Sequence, residues 1–217
     1  MLALLHTSPV HVPVFDALRD EDHPGLRLRH FVDATLLSTA RREGPRAVTG
    51  EVETLLRRAV AEGARAVLCT CSTIGAVAET AGAAATGPGV PVLRVDRPMA
   101  AAAVAAGPRV VVLAALESTL APTTALVEDE ARRAGRPVTV RGVLADAAWP
   151  RFEAGDDDGY VRRVAAAADR VVDADAIVLA QASMAPAERL TTTPVPVLAS
   201  PRPGLAAAAR AVRPAPG

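Results

Sequence analysis

The stretch Ala64-Arg-Ala-Val-Leu-Cys-Thr-Cys71-Ser72-Thr73 decides the fold, because it reads as a buried strand that ends in a small polar turn. A short run that is apolar almost without a break fits a parallel strand covered on both faces. Working outward, short β-branched or Leu-rich runs bounded by turn residues predict strands at Leu2–His6, Arg27–Val32, Ala66–Thr70 and Val92–Val95. The same signals recur at Val110–Ala114, Val138–Val143, Ile177–Ala180 and Val195–Leu198. Helical patterns lie between most of them, at Val48–Glu62, Met99–Ala106, Thr124–Ala134 and Tyr160–Val172. Strands alternating with helices predict an α/β fold of parallel sheets covered by helices.

The opening stretch has an echo 110 residues later, in Ala174-Asp-Ala-Ile-Val-Leu-Ala-Gln181-Ala182-Ser183. A weaker echo relates the strand ending in His6-Thr7-Ser8 to the one ending near Glu117-Ser118-Thr119. The pairing predicts two similar lobes, 1–97 plus 191–217 and 98–190. Arg97-Pro98 would be the crossover, and the strand at Val195 would return to the first lobe.

Composition removes several function classes. Half of the 217 residues are hydrophobic but only 2% are aromatic, so Ala, Val and Leu must build the core. Lys+Arg and Asp+Glu are both 24, which leaves no basic field for nucleic acid. No apolar run approaches the roughly 20 residues of a membrane span. Met1 to Leu5 is too short and lacks the positive flank of a signal peptide. All 24 basic residues are Arg, and a pyridoxal-phosphate enzyme, a Schiff-base aldolase or a Walker A site each needs a lysine amine. The two cysteines, Cys69 and Cys71, are too close for an unstrained disulfide, and no His lies near them in sequence to complete a zinc site. They read as thiols in a reducing, cytoplasmic compartment, with no metal and no organic cofactor.

In open parallel sheets, ligands bind beyond the carboxyl ends of the strands, where helix N-termini offer N–H groups to an anion. That rule selects four loops: His6-Thr7-Ser8, Cys71-Ser72-Thr73, Ser118-Thr119 and Gln181-Ala182-Ser183. Any one of these hydroxyls could serve only as a helix N-cap. Four together, at the strand ends of two echoing lobes, fit a cleft that binds a carboxylate. Cys71 stands between strand and helix, where the partial positive charge of the helix end favours a thiolate. Cys69, inside the apolar run, reads as core packing, and a buried structural thiol is the alternative reading for Cys71 too. His6 reads first as a hydrogen-bonded strand-end histidine and second as a further proton-transfer group.

Thr70-Cys71-Ser72-Thr73-Ile74-Gly75 resembles the first cysteine motif of the aspartate/glutamate/hydantoin racemase family. Val92–Met99, Val110–Thr119, Ile177–Met184 and Ser200-Pro-Arg-Pro-Gly204 resemble further family segments, in the family's order. The resemblance implies two Rossmann-like lobes related by a pseudo-twofold with the active site between them. It also implies cofactor-independent isomerase chemistry, in which a pair of cysteines removes and returns a proton at an α-carbon. Here the second cysteine falls on Gln181, the only glutamine in the chain, and an amide is neither acid nor base near neutral pH. The related arylmalonate decarboxylases also keep one cysteine, in the other lobe.

The resemblance therefore points to proton transfer on a small carboxylate by Cys71 alone, with racemase, decarboxylase and maleate-type cis–trans isomerase chemistry all open. So is a binding protein that has lost turnover. Thr7, Ser8, Ser72, Thr73, Ser118, Thr119 and Ser183 would hold carboxylate oxygens, while His6 and Gln181 line the same site. The expected partner is a small carboxylate or amino-acid-like molecule, with neither nucleic acid nor membrane, and a homo-oligomer is compatible.

Overall fold

The computed structural model describes residues 1–87 and 89–212. They form two compact units, one of Met1–Val95 with the chain's last helix, the other of Asp96–Ser200. The first unit runs β1 (Leu2–His6), α1 (His11–Asp22), β2 (Leu28–Val32), α2 (Thr35–Glu43), α3 (Thr49–Ala61), β3 (Ala66–Cys69), α4 (Ser72–Thr86) and β4 (Val92–Arg94). The second runs α5 (Arg97–Ala106), β5 (Arg109–Ala114), α6 (Leu120–Ala134), β6 (Thr139–Leu144), α7 (Ala148–Glu153), α8 (Asp157–Asp169) and β7 (Ala176–Leu179). It closes with a 3-10 segment, Ala182–Leu190, and β8 (Val197–Leu198). The last helix, α9 (Pro201–Val212), belongs to the first unit.

Each unit holds one four-stranded sheet, ordered β2-β1-β3-β4 and β6-β5-β7-β8, and every strand pair is parallel. All eight strands inferred from the sequence are present, β1 with both ends as expected and the others with ends moved by at most two residues.

Alternation along the strands separates two cores in each unit. In β1 and β3, Leu2, Leu4, Ala66 and Leu68 face Phe15 of α1 and Leu205 of α9. Ala3, Leu5, Val67 and Cys69 face Leu36, Val52, Leu56 and Ile74 on α2, α3 and α4. The second unit repeats the scheme. Val110, Val112, Ala176 and Val178 meet Met99, Val104 and Leu126, whereas Val111, Leu113, Ile177 and Leu179 meet Tyr160, Val164 and Met184. A fully buried Leu or Val contributes about 1.5–3 kcal/mol, so a core nearly without aromatic rings still suffices for both units.

The domain boundaries expected from the sequence, 1–97 plus 191–217 and 98–190, need correcting. The strand at Val195 does not return to the first sheet; Val197 and Leu198 pair with Ile177 and Val178 of β7. Val195, Val197 and Ala199 pack on the second unit's core, and that apolar face fixes the partner. The returning element is α9, and the crossover lies at Asp96, one residue before Arg97-Pro98. Residues 213–217 lie outside the described residues.

Ser200-Pro-Arg-Pro-Gly204 has a steric role in this return. Pro201 starts α9, where its missing N–H costs nothing. Gly204 lies against Val95, so close that an added Cβ would overlap the Val95 carbonyl oxygen and fall 2.9 Å from its Cα. Main chain in a packed core yields poorly. Gly204→Ala is expected to cost about 1–3 kcal/mol, read as a lower urea midpoint at unchanged m-value.

Candidate active site

A strand order of second-first-third-fourth puts the topological switch between the first and third strands, because the chain leaves β1 toward one side and continues β3 toward the other. The loops after β1 and β3 therefore share one carboxyl-end crevice, and those after β5 and β7 share another. The first crevice collects His6, Thr7, Ser8, Cys71, Ser72 and Thr73; the second collects Ser118, Thr119, Gln181 and Ser183.

In the first unit Cys71 is the N-cap residue of the 15-residue helix α4, with extended backbone and no side-chain capping bond. It is partly exposed, while Cys69 is fully buried and its S–H reaches the Cys71 carbonyl oxygen at 3.7 Å. Ser72 and Thr73 open the helix, both buried, and the Thr73 hydroxyl has no hydrogen-bond partner. Gly75, one turn on, is required by its neighbour. An added Cβ would lie 2.9 Å from Nε and 3.3 Å from Cβ of Arg94, a guanidinium side chain only 4% exposed at the end of β4. The glycine that ends the cysteine motif thus seats a buried positive charge beside the first turn of α4.

His6 does not present itself to a ligand, which corrects its assignment to the substrate-binding set. It is fully buried, and both ring nitrogens are engaged: Nδ1 with Thr70 Oγ1 and Nε2 with His30 Nδ1, each at 2.8 Å. The Thr70 hydroxyl donates to the Leu5 carbonyl at 3.1 Å, so it accepts from the His6 Nδ1–H. That leaves the His6 Nε2 lone pair to accept from His30, whose own Nε2 lies 3.4 Å from Asp16 Oδ1. Strand parity gives the reason. His6 continues the face of Leu2 and Leu4 toward Phe15 of α1, whereas Cys71 continues the parity of Cys69 toward α4.

Burial, reinforced by His30 and His11, pushes the His6 pKa down to about 3, and burial pushes His11 down to about 4. In the unfolded chain both take up protons below about 6.5, which the folded chain refuses until far lower pH. Stability is then complete above about pH 6.5 and falls with pH by up to about 1.4 kcal/mol per unit per histidine. Urea midpoints are expected to hold from pH 7.5 to about 6.5 and to fall from there to pH 5, above most carboxylate titration, with a shallower fall in His6→Asn. A flat wild-type profile would contradict this.

In the second unit Gln181 is the N-cap residue of the 3-10 segment, with the same extended backbone as Cys71. Its carboxamide is fixed at one end only. Oε1 accepts the N–H of Ala115 at 2.7 Å and of Leu116 at 3.3 Å, with the Thr119 hydroxyl at 3.5 Å. Nε2 is buried with no partner, as is the hydroxyl of Ser118. The other hydroxyls expected at this crevice are committed elsewhere. Thr119 donates to the Leu116 carbonyl at 2.6 Å, and Ser183 pairs at 2.8 Å with Tyr160, whose buried phenol needs a partner and is raised to about 12.

Sequence reasoning missed the main-chain donors of Ala115 and Leu116, which no residue type betrays, and the Thr70–His6–His30–Asp16 chain, whose members are far apart in sequence. Arg94 could have been noticed as a charge at the end of an apolar strand. Among the described residues, no group of three or more His, Cys, Asp or Glu is placed to hold a metal ion, and no helix is long and apolar enough to cross a membrane.

No curated protein sequence gives a significant match. Among solved structures, the aspartate racemase of Picrophilus torridus superposes with a TM-score of 0.71 at 15% identity, covering 97% of this chain and 93% of its own. A glutamate racemase of Campylobacter jejuni gives 0.71 at 14% identity over 95% and 84%. Arylmalonate decarboxylase gives 0.61 at 19% identity over 100% and 94%. At such identities these likenesses concern the fold. The sequence model of Asp/Glu/Hydantoin racemase matches residues 12–210, a span that takes in every strand except β1 and both N-cap positions, Cys71 and Gln181, and the chain belongs to that family.

Proposed function

We propose that this chain is a cofactor-independent enzyme that transfers a proton at the α-carbon of a small carboxylate, with Cys71 as its only acid–base group. The observation that carries the reading is the asymmetry of two equivalent positions: a residue with a part-exposed thiol holds the N-cap position of α4, and one with a neutral amide holds that of the 3-10 segment. The N-terminus of α4 offers main-chain N–H groups to a bound anion. Thr73 brings an unpartnered buried hydroxyl to the same turn, a donor for a carboxylate oxygen.

The step is a simple exchange. The Cys71 thiolate takes the α-hydrogen as a proton, the C–H electron pair passes into the carboxylate as an enediolate, and the resulting thiol returns a proton to the same face. Gln181, at the equivalent position of the second unit, is a neutral amide that neither gives nor takes a proton near neutral pH, where family racemases carry a second thiol. A second reading, decarboxylation, is favoured by the same single thiol. There the C–C bond to a leaving carboxylate breaks, CO2 departs, and Cys71 protonates the enediolate before regaining its proton from solvent. Reduced thiols at positions 69 and 71 fit a reducing, cytoplasmic setting.

Alkylation tests the site. Iodoacetamide at neutral pH is expected to label Cys71 fast and Cys69 slowly, with small mono- and dicarboxylates protecting Cys71. Labelling of Cys71 at the rate of a free thiol, with no protection by any carboxylate, would point to a site without function.

A further inference from the structure

The geometry points to an oxyanion pocket in the second unit, made by the main-chain N–H groups of Ala115 and Leu116, that Gln181 fills with its own carboxamide oxygen. Two amides converging at 2.7 and 3.3 Å on one buried oxygen form the arrangement that binds a carboxylate or enolate oxygen from a ligand. Here the oxygen belongs to the chain. The opposite end of the same side chain is a buried NH2, in a residue only 9% exposed, that has no acceptor. A buried N–H left so opposes folding unless a ligand or water supplies an acceptor.

Ser118, whose hydroxyl is also buried without a partner, lies next to Thr119 on the same loop. The second unit therefore recognises ligand through a neutral N–H of Gln181, beside a pocket that is already occupied. A ligand carbonyl or carboxylate oxygen fits that donor; a ligand ammonium does not. Strand register makes Thr7 and Ser8 the counterparts of Ala115 and Leu116 in the first unit, where Cys71 holds the place of Gln181.

This inference concerns one unit and does not depend on turnover, so its failure and that of the proposed reaction can be told apart. The probe is acetate, added to the full-length, isotope-labelled chain and followed by NMR. In wild type, a scalar coupling across the hydrogen bond between the Ala115 nitrogen and the Gln181 side-chain carbonyl carbon is expected. The Ala115 and Leu116 amide signals should stay unmoved by acetate. In Gln181→Ala the same two amides should shift saturably, with acetate binding at least about tenfold tighter than in wild type, since two buried N–H donors are released. Gln181→Cys, whose side chain stops short of the pocket, should respond likewise and serves if Gln181→Ala does not fold. Absence of the coupling in wild type, wild-type amides that saturate with acetate, or folded variants whose amides stay silent would each overturn the proposal.

Discussion

Cys71→Ser is expected to lower turnover of any accepted carboxylate by at least about 100-fold while leaving the fold intact. A serine hydroxyl is far less acidic than a thiol and acts at neutral pH only with a base beside it. His6 cannot be that base, because it is fully buried and spends both nitrogens on Thr70 and His30. Position 71 is also a helix N-cap, where serine is favoured, so thermal stability should hold or rise slightly. That separation of activity from stability identifies a chemical role. Cys69→Ser should behave oppositely: it places a hydroxyl in a fully buried apolar site and costs about 1–3 kcal/mol, with turnover per folded molecule kept. A fully active Cys71→Ser enzyme would refute the assignment.

The second large effect is expected from Gln181→Cys. It restores the family's thiol at the equivalent cap, and racemase activity on an amino acid or α-substituted carboxylate should rise from background to a measurable rate. The wild-type amide has no proton to give or take there, so the gain is qualitative. A stability cost of about 1–3 kcal/mol should accompany it, since the N–H groups of Ala115 and Leu116 lose their acceptor. Added acetate should return part of that loss. No gain in racemisation, in a variant that folds and binds acetate, would mean that a second thiol is not what the chain lacks.

Much of this was legible in the sequence because parallel strands buried on both faces are short apolar runs that little else imitates. Val110–Ala114 and Ile177–Ala180 were found that way, and so was the equivalence of Cys71 and Gln181. The fate of the strand at Val195 was not. Its neighbours, β4 or β7, differ only in which sheet its apolar face covers, and three-residue runs of Val, Pro and Ala carry no such information. The helix α1, with Pro13 and a weak apolar stripe, also escaped, and with it the setting of His6. Side-chain roles were legible as residue types but not as commitments. Nothing in the letters shows that Ser183 is engaged by Tyr160, that Thr119 closes its own turn, or that Gln181 points its oxygen inward.

The central claim, a single thiol serving a single face, is tested most directly by running the wild-type reaction in deuterium oxide over a panel of small mono- and dicarboxylates and reading the configuration of the labelled product. The account predicts that deuterium enters the α-position with one stereochemistry and that label and turnover both vanish in Cys71→Ser. Efficient racemisation by the wild-type protein, with deuterium entering from both faces, would contradict it.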